Sequence, residues 1–266
     1  MTESPGDHSE VRLVPLSRIP LVKAGDDLAA LLACACTEAG LSPEAGDVLV
    51  VAQKIVSKAE GRLRRLDDVA VSPRARELAA TVGKDPRLVA LILSETRRVV
   101  RAVPNLLIVE HRLGFIMANA GVDQSNVERS NVGPGGDPLA LLLPEDPDAS
   151  CARLRTALQQ HFGVAIAVLM NDSFGRPWRN GVTGICIGAA GIAVLADRRG
   201  RPDLFGRLLR NTEIALGDEI AAAASLLMGQ ADEHIPAVLV RGLGLAPTEV
   251  EGAQALLRPP ERDLFR

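Results

Sequence analysis

The run Asn171-Asp172-Ser173-Phe174-Gly175-Arg176-Pro177-Trp178-Arg179 packs a carboxylate, a hydroxyl, a glycine and two arginines into one short stretch. Carboxylate and hydroxyl oxygens suit a hard divalent cation, and arginine forks suit phosphate or carboxylate. The run follows an apolar segment, 164–170, that reads as a buried strand ended abruptly by polar residues. It therefore reads as a strand-exit loop that holds a divalent metal beside a phosphoanhydride, with other segments converging on it.

Three further stretches could supply the rest of such a site. In Ala118-Asn119-Ala120-Gly121-Val122-Asp123-Gln124-Ser125-Asn126-Val127, small residues surround one carboxylate, so the backbone can approach a ligand closely. An Asx-type turn explains the same residues. Gln53, Lys54 and Lys58 follow directly from the apolar run 48–52; a solvated surface is the simpler reading, a phosphate-facing loop is the functional one, and pattern does not settle between them. Gln230-Ala231-Asp232-Glu233-His234-Ile235-Pro236 follows a helical pattern that stops at Gly229. The turn 197–207 carries Arg198, Arg199, Arg201 and Arg207, which fits either a solvated surface or an anion-binding loop.

The elements that must position these residues follow from periodicity and punctuation. Strands are expected at 11–14, 48–52, 106–110, 115–119 and 237–240, and through 181–195. Gly114 suggests a hairpin-like turn between the third and fourth of these. Helices are expected at 28–39, capped by Asp26 or Asp27 and stopped by Gly40, and at 149–162 with Leu154, Leu158 and Phe162 on one face. Longer helices are expected at 71–101, starting at Ser72-Pro73, and at 211–228. Within the former, Glu95-Thr96-Arg97-Arg98 reads as an exposed helix face. The segment 131–148, rich in glycine and proline, reads as a linker or a mobile loop.

Composition sets limits. The chain of 266 residues is 47% hydrophobic and 24% charged, enough for a substantial core. With 2% aromatics, no tyrosine and a net charge of −3, it lacks the stacking platforms and basic field of a nucleic-acid binder. No apolar run approaches a membrane span, and 1–10 is polar rather than a signal peptide, so a cytoplasmic location is expected. Cys34, Cys36, Cys151 and Cys186 have neither CxxC nor zinc spacing. Cys34 and Cys36 read as small buried hydrophobes. There is no GxxxxGK[ST] loop, no GxGxxG after a strand, no GxSxG elbow and no HExxH helix. On residues alone the reading stops at an enzyme with a metal-and-anion site.

Longer strings go further. Gly25-Asp26-Asp27-Leu28, Val56-Ser57-Lys58-Ala59-Glu60-Gly61-Arg62, Asn119–Val127 as spelled above, Asp172-Ser173-Phe174-Gly175-Arg176-Pro177-Trp178-Arg179, Asp218-Glu219-Ile220-Ala221 and Val238-Leu239-Val240-Arg241-Gly242 occur in this order. Together they resemble the coenzyme F420-0:L-glutamate ligase family, the F420 γ-glutamyl ligases, from about residue 11 to 244. The resemblance implies an α+β, two-lobed mixed α/β chain forming an intertwined homodimer. It divides the chain into a disordered polar tail (1–10), the ligase domain (11–246) and a peripheral tail (247–266).

The resemblance also implies a GTP-dependent amide ligase that activates the carboxylate of F420-0 as an acyl phosphate. L-Glutamate then displaces phosphate, and a later cycle adds a γ-linked glutamate. No protein nucleophile is expected. Metal ligands carried over are Asp123, Asp172, Ser173 and Gln230, for Mg²⁺ or Mn²⁺, with K⁺ as a further candidate. Serine stands at 173 where many members have threonine, and glutamine at 230 where others have glutamate. GTP contacts carried over are Ile19, Pro20, Leu21, Val22, Gln53, Lys54, Lys58, Asn126, Met228, Gly229, Gln230, Ala231, Asp232, Glu233, His234 and Ile235. Arg176 and Arg179, with Arg198 and Arg201 behind them, are candidates for F420-0 itself. Two rivals stand beside this reading: a non-catalytic F420- or nucleotide-binding protein, and a related ligase for another carboxylate.

Overall fold

A computed structural model of the chain describes residues 10–126, 139–245, 248 and 252–263. The tail 1–9 and the stretch 131–138 of the expected linker lie outside the described residues.

The chain opens with strand β1 (Arg12–Leu16) and helix α1 (Leu28–Glu38). Asp27 caps α1 by accepting the Ala30 N–H at 3.0 Å, and Gly40 follows in the left-handed region at φ 67°. Strand β2 (Val48–Ala52) leads without a break into a short helix, α2 (Gln53–Ala59), and then β3 (Leu63–Arg65). Helices α3 (Pro73–Val82) and α4 (Pro86–Ser94) precede a three-stranded meander, β4 (Thr96–Val103), β5 (Leu106–His111) and β6 (Ile116–Ala118). After β7 (Leu139–Leu141) come α5 (Pro147–Phe162), the long hairpin β8 (Ala167–Arg176) and β9 (Arg179–Ala190), and the small pair β10 (Ala196–Asp197) and β11 (Glu213–Ile214). Helix α6 (Leu216–Met228) and strand β12 (Ala237–Arg241) complete the framework.

The main sheet has the order β1-β12-β2-β8-β9, with β2 and β8 parallel and the other neighbours antiparallel. Period-2 alternation sends successive β2 side chains to opposite faces. Leu49 and Val51 enter a core with α1 and α5, whereas Val48 and Val50 enter a second core with α6. A third core joins α3 and α4 to β5 through Val89, Ile92, Leu107 and Val109. This mixed arrangement of helices and several sheets agrees with the expected class. No helix among the described residues is long and apolar enough to cross a membrane.

Several expected elements need correction. The single helix over 71–101 is two helices and a strand, because Gly83 ends α3 at φ 67° and Pro86 opens α4. Glu95-Thr96-Arg97-Arg98 is therefore not an exposed helix face. Glu95 is buried, and Thr96 begins β4. The helix over 211–228 starts only at Leu216, since Glu213 pairs with Asp197 in β10–β11. Cys36 is buried as expected, but Cys34 is exposed. In the C-terminal stretch read as peripheral, Ala253 is fully buried and donates its N–H to Asp148 Oδ1 at 2.8 Å.

Helix α6 lies directly on β9 at Gly184. A Cβ there would fall 2.1 Å from Ser225 Oγ, 2.5 Å from the Ala221 carbonyl and 2.6 Å from Asn171 Oδ1. A backbone oxygen cannot step aside, so Gly184→Ala should lower stability by about 1–3 kcal/mol. Urea unfolding would register this as a lower midpoint at unchanged slope.

Candidate active site

Hydrogen-bond register explains why distant segments meet. Leu16, the last residue of β1, pairs with Ala237, the first of β12; Ala237 pairs with Val51, and Ala52 pairs with Asn171. The exits of β1 and β2, the start of β12 and the polar half of β8 therefore share one end of the sheet. Ligands of open sheets that contain parallel strands collect at the carboxyl ends of those strands. A cavity of about 410 Å³ opens at this end.

Its wall brings together most residues proposed from the resemblance. Ile19, Pro20, Leu21 and Val22 arrive from the β1 exit, and Gln53, Lys54 and Lys58 from the first turns of α2. Asn126 comes from the turn after β6, and Asp172 and Ser173 from β8. Met228, Gly229, Gln230, Ala231, Asp232, Glu233, His234 and Ile235 come from the end of α6 and the segment after it. Gln53, Lys54 and Lys58 are helical, not a loop: α2 begins at once after β2, and the i,i+4 spacing sets both lysines on one helix face.

The two lysines tie α2 to the turn that carries Asp123. Lys54 Nζ sits 2.7 Å from Asp123 Oδ2 and donates to Ser125 Oγ at 2.8 Å. Lys58 Nζ donates to the Asn126 carbonyl at 2.9 Å, and Asn126 Nδ2 donates to the Ala231 carbonyl at 3.0 Å. The turn is also an Asx turn, since the Ser125 N–H donates to Asp123 Oδ1 at 2.7 Å. The Asx turn expected for this stretch is thus present. Asn119 and Ala120 are both left-handed, at φ 54° and 52°, a conformation that costs a residue with a Cβ. Strand-like bonds from Asp123 to Leu141 hold the turn in place.

Asp172 and Ser173 do not lie in a strand-exit loop. β8 runs on to Arg176 and turns at Pro177-Trp178, so both side chains sit on a strand paired with β9. Ser173 Oγ donates to Gln230 Oε1 at 2.6 Å, joining β8 to the segment after α6. Burial pushes the Asp172 carboxyl up to about 7, and the Asp123 charge adds to the effect, against the Ser173 N–H and Lys54. Burial also works to raise Asp123, but Lys54 and Ser125 outweigh it and hold that carboxyl below its usual value.

Two carboxylates with linked electrostatics, a hydroxyl and an amide oxygen fit a hard divalent ion. Among the described residues no group of three His, Cys, Asp or Glu could hold one, so such an ion would need anionic oxygens from its substrates as well.

Arg176 and Arg179 are not on the cavity wall. They pair across the tip of the β8–β9 hairpin, where Arg176 Nη2 donates to the Asn180 carbonyl at 3.3 Å. Arg198 and Arg201 lie in the exposed turn between β10 and β11. Sequence reasoning missed Asn171, a buried cavity residue whose Nδ2 donates to Ser225 Oγ at 2.9 Å. A lone amide at the end of an apolar run was the available signal.

Comparison with known proteins places the chain in a family. The family model for F420-0:gamma-glutamyl ligase matches residues 17–242. A Methanopyrus kandleri protein named coenzyme F420:L-glutamate ligase is 49% identical over 256 residues, 95% of this chain and 96% of its own length. Proteins of the same name from Methanothermobacter thermautotrophicus and Archaeoglobus fulgidus are 44% and 42% identical, each over 257 residues. These matches cover 96% of this chain in both cases, and 99% and 96% of the relatives. With a family match across the cavity and every strand of the main sheet except β1, the chain belongs to the F420-0:gamma-glutamyl ligase family.

Proposed function

We propose that the chain joins L-glutamate to coenzyme F420-0 through an amide bond at the expense of GTP. The observation that carries this reading is the cavity at the shared strand ends. It gathers the lysines of α2, Asp172 and Ser173 of β8 and the segment 228–235, which lie far apart in sequence.

The chemistry is phosphoryl transfer followed by acyl transfer. A carboxylate oxygen of F420-0 attacks the γ-phosphorus of GTP, and GDP leaves. The amine of L-glutamate attacks the acyl carbon, the C–O bond to phosphate breaks, and inorganic phosphate leaves. A second cycle on the new γ-carboxylate extends the tail. Both steps crowd anions together, so fixed cations are needed more than a protein nucleophile. Lys54 and Lys58 supply two such cations on one wall. Asn126 and residues 228–235 face the nucleotide, and Ile19 to Val22 give an apolar wall for its base. Asp123, Asp172, Ser173 and Gln230 would hold Mg²⁺ or Mn²⁺, with K⁺ as a further candidate. The metal would neutralise phosphoryl oxygen charge.

Exposed Trp178, Val182, Leu204 and Phe205 suit the homodimer that the family reading carries. Arg176 and Arg179 extend the site along the hairpin toward the anionic F420-0. One charge-assisted hydrogen bond is worth about 1.4 kcal/mol or more, so Arg176→Ala should raise the KM for F420-0 roughly tenfold. Steady-state kinetics at saturating GTP would show it. Unchanged kinetics would remove Arg176 from substrate binding.

The reading is tested by incubating the protein with GTP, Mg²⁺ or Mn²⁺, L-glutamate and F420-0. GDP release with a product heavier by one glutamyl residue is expected. Tight nucleotide or F420-0 binding without GDP would make it a binding protein, and GDP release only with another carboxylate would move it to a different ligase.

A further inference from the structure

Lys54 makes contacts that a nucleotide-binding role alone does not require. Its ammonium group meets Asp123 Oδ2 at 2.7 Å, Ser125 Oγ at 2.8 Å and the Ser125 carbonyl at 3.4 Å. Those acceptors match the three protons it carries. The other oxygen of Asp123 takes the Ser125 N–H at 2.7 Å. One of the two carboxylates available to a metal therefore already has protein donors on both oxygens, one of them a full positive charge. The neutral candidates are engaged too, since Ser173 Oγ donates to Gln230 Oε1 at 2.6 Å. Lys54 already offsets the charge of Asp123, and Asp172 adds at most one negative charge. A divalent ion approaching this set meets little net charge and must also displace an ammonium group from Asp123.

We propose that Lys54 competes with the divalent ion for Asp123 and thereby couples metal binding to nucleotide binding. Free metal binds weakly because it must push Lys54 aside. A nucleotide in the same cavity offers Lys54 a phosphate in exchange for Asp123, and its oxygens complete the metal's ligands. Metal and nucleotide then bind far better together than apart, and Lys54 is a positioning residue rather than only a phosphate contact. The inference rests on the metal reading of Asp123 given above.

The test follows Mn²⁺ binding by loss of the free-ion electron paramagnetic resonance signal, with and without GDP, independently of turnover. Lys54→Met is expected to bind Mn²⁺ without nucleotide roughly tenfold more tightly than the unaltered protein, and its gain in affinity on adding GDP should shrink by a similar factor. Lys54→Arg should keep the weak, nucleotide-dependent binding. Lys54→Gln gives the same comparison as methionine should that variant fail to fold. Mn²⁺ affinity unchanged or weakened in the neutral variants, at an unchanged melting temperature, would overturn the proposal. Asp123→Asn separates it from the reading beneath it. If that variant binds Mn²⁺ normally, Asp123 is not a metal ligand. If it loses Mn²⁺ but neutral Lys54 variants do not gain affinity, only the role of Lys54 falls.

Discussion

Asp172→Asn is expected to lower kcat/KM for the ligation about a thousandfold, the scale of several kcal/mol of lost charge stabilisation, while leaving the fold at least as stable. The two effects have one cause. Burial, with the Asp123 charge behind it, pushes the Asp172 carboxyl up to about 7 from an ordinary 3.8. A carboxyl raised in the folded state costs stability when ionised. That cost is fully present above about pH 7 and fades as pH falls toward 3.8. Asparagine removes it. In chelator-treated protein the variant should therefore gain most in thermal stability at pH 8, and the difference should close near pH 4. A stability loss at pH 8 would mean that Asp172 serves the fold rather than the reaction.

The largest expected effect on stability lies outside the cavity. Glu95 is buried and receives Arg62 Nη2 at 3.2 Å and Arg112 Nε at 2.8 Å, while His111 Nε2 faces it at 3.4 Å. His111 Nδ1 accepts the Leu113 N–H at 2.9 Å, which leaves the ring proton on the nitrogen that faces Glu95. Burial alone would raise this carboxyl, but the facing His111 and the two arginines outweigh it and hold it down to about 2, from 4.5. Arg62 also donates Nε to the Leu143 carbonyl at 2.8 Å and Nη1 to Glu145 at 2.9 Å, so one guanidinium ties the segment after α2 to the segment before α5.

Glu95→Ala leaves Arg62 buried with only the exposed Glu145 as counter-charge. The expected loss is about 3–5 kcal/mol, or roughly 10 °C in melting temperature for a chain of this size. The pH dependence has the opposite sign to that of Asp172. A lowered carboxyl adds stability above about 4.5, and the contribution is lost as pH falls toward 2. Between those values the unaltered protein should destabilise steeply on acidification, and Glu95→Ala should be less sensitive. Melting curves across that range would decide, and equal slopes would contradict the account.

Much of the framework was legible because local signals and tertiary structure agree. β2 is an unbroken apolar run, α1 has its aspartate cap and glycine stop, and Gly114 does turn β5 into β6 at φ 93°. The misses have physical reasons. α2 spans only Gln53–Ala59, too short to show a 3.6-residue period. β4 carries register shifts between Thr96 and Arg98 and between Val99 and Arg101, which break the alternation that marks a strand. Polar Asp172 and Ser173 are residue types that commonly end a strand, yet β9 continues to pair with β8 while both residues line the cavity. The Glu95 cluster draws on four separated segments and leaves no local mark. On residue patterns alone the expectation stops at a metal-and-anion site. Nucleotide and carboxylate substrates are expected only through the longer family strings, and the register of β1, β12, β2 and β8 explains why distant segments share one cavity.

The most direct test of carboxylate activation in this cavity traces oxygen. F420-0 labelled with ¹⁸O in the carboxylate is incubated with the protein, GTP, Mg²⁺ or Mn²⁺ and L-glutamate, and the released phosphate is analysed by mass spectrometry. Transfer of one ¹⁸O into phosphate, matched to GDP and amide product, is the predicted result. Amide product accompanied by phosphate without ¹⁸O would contradict it.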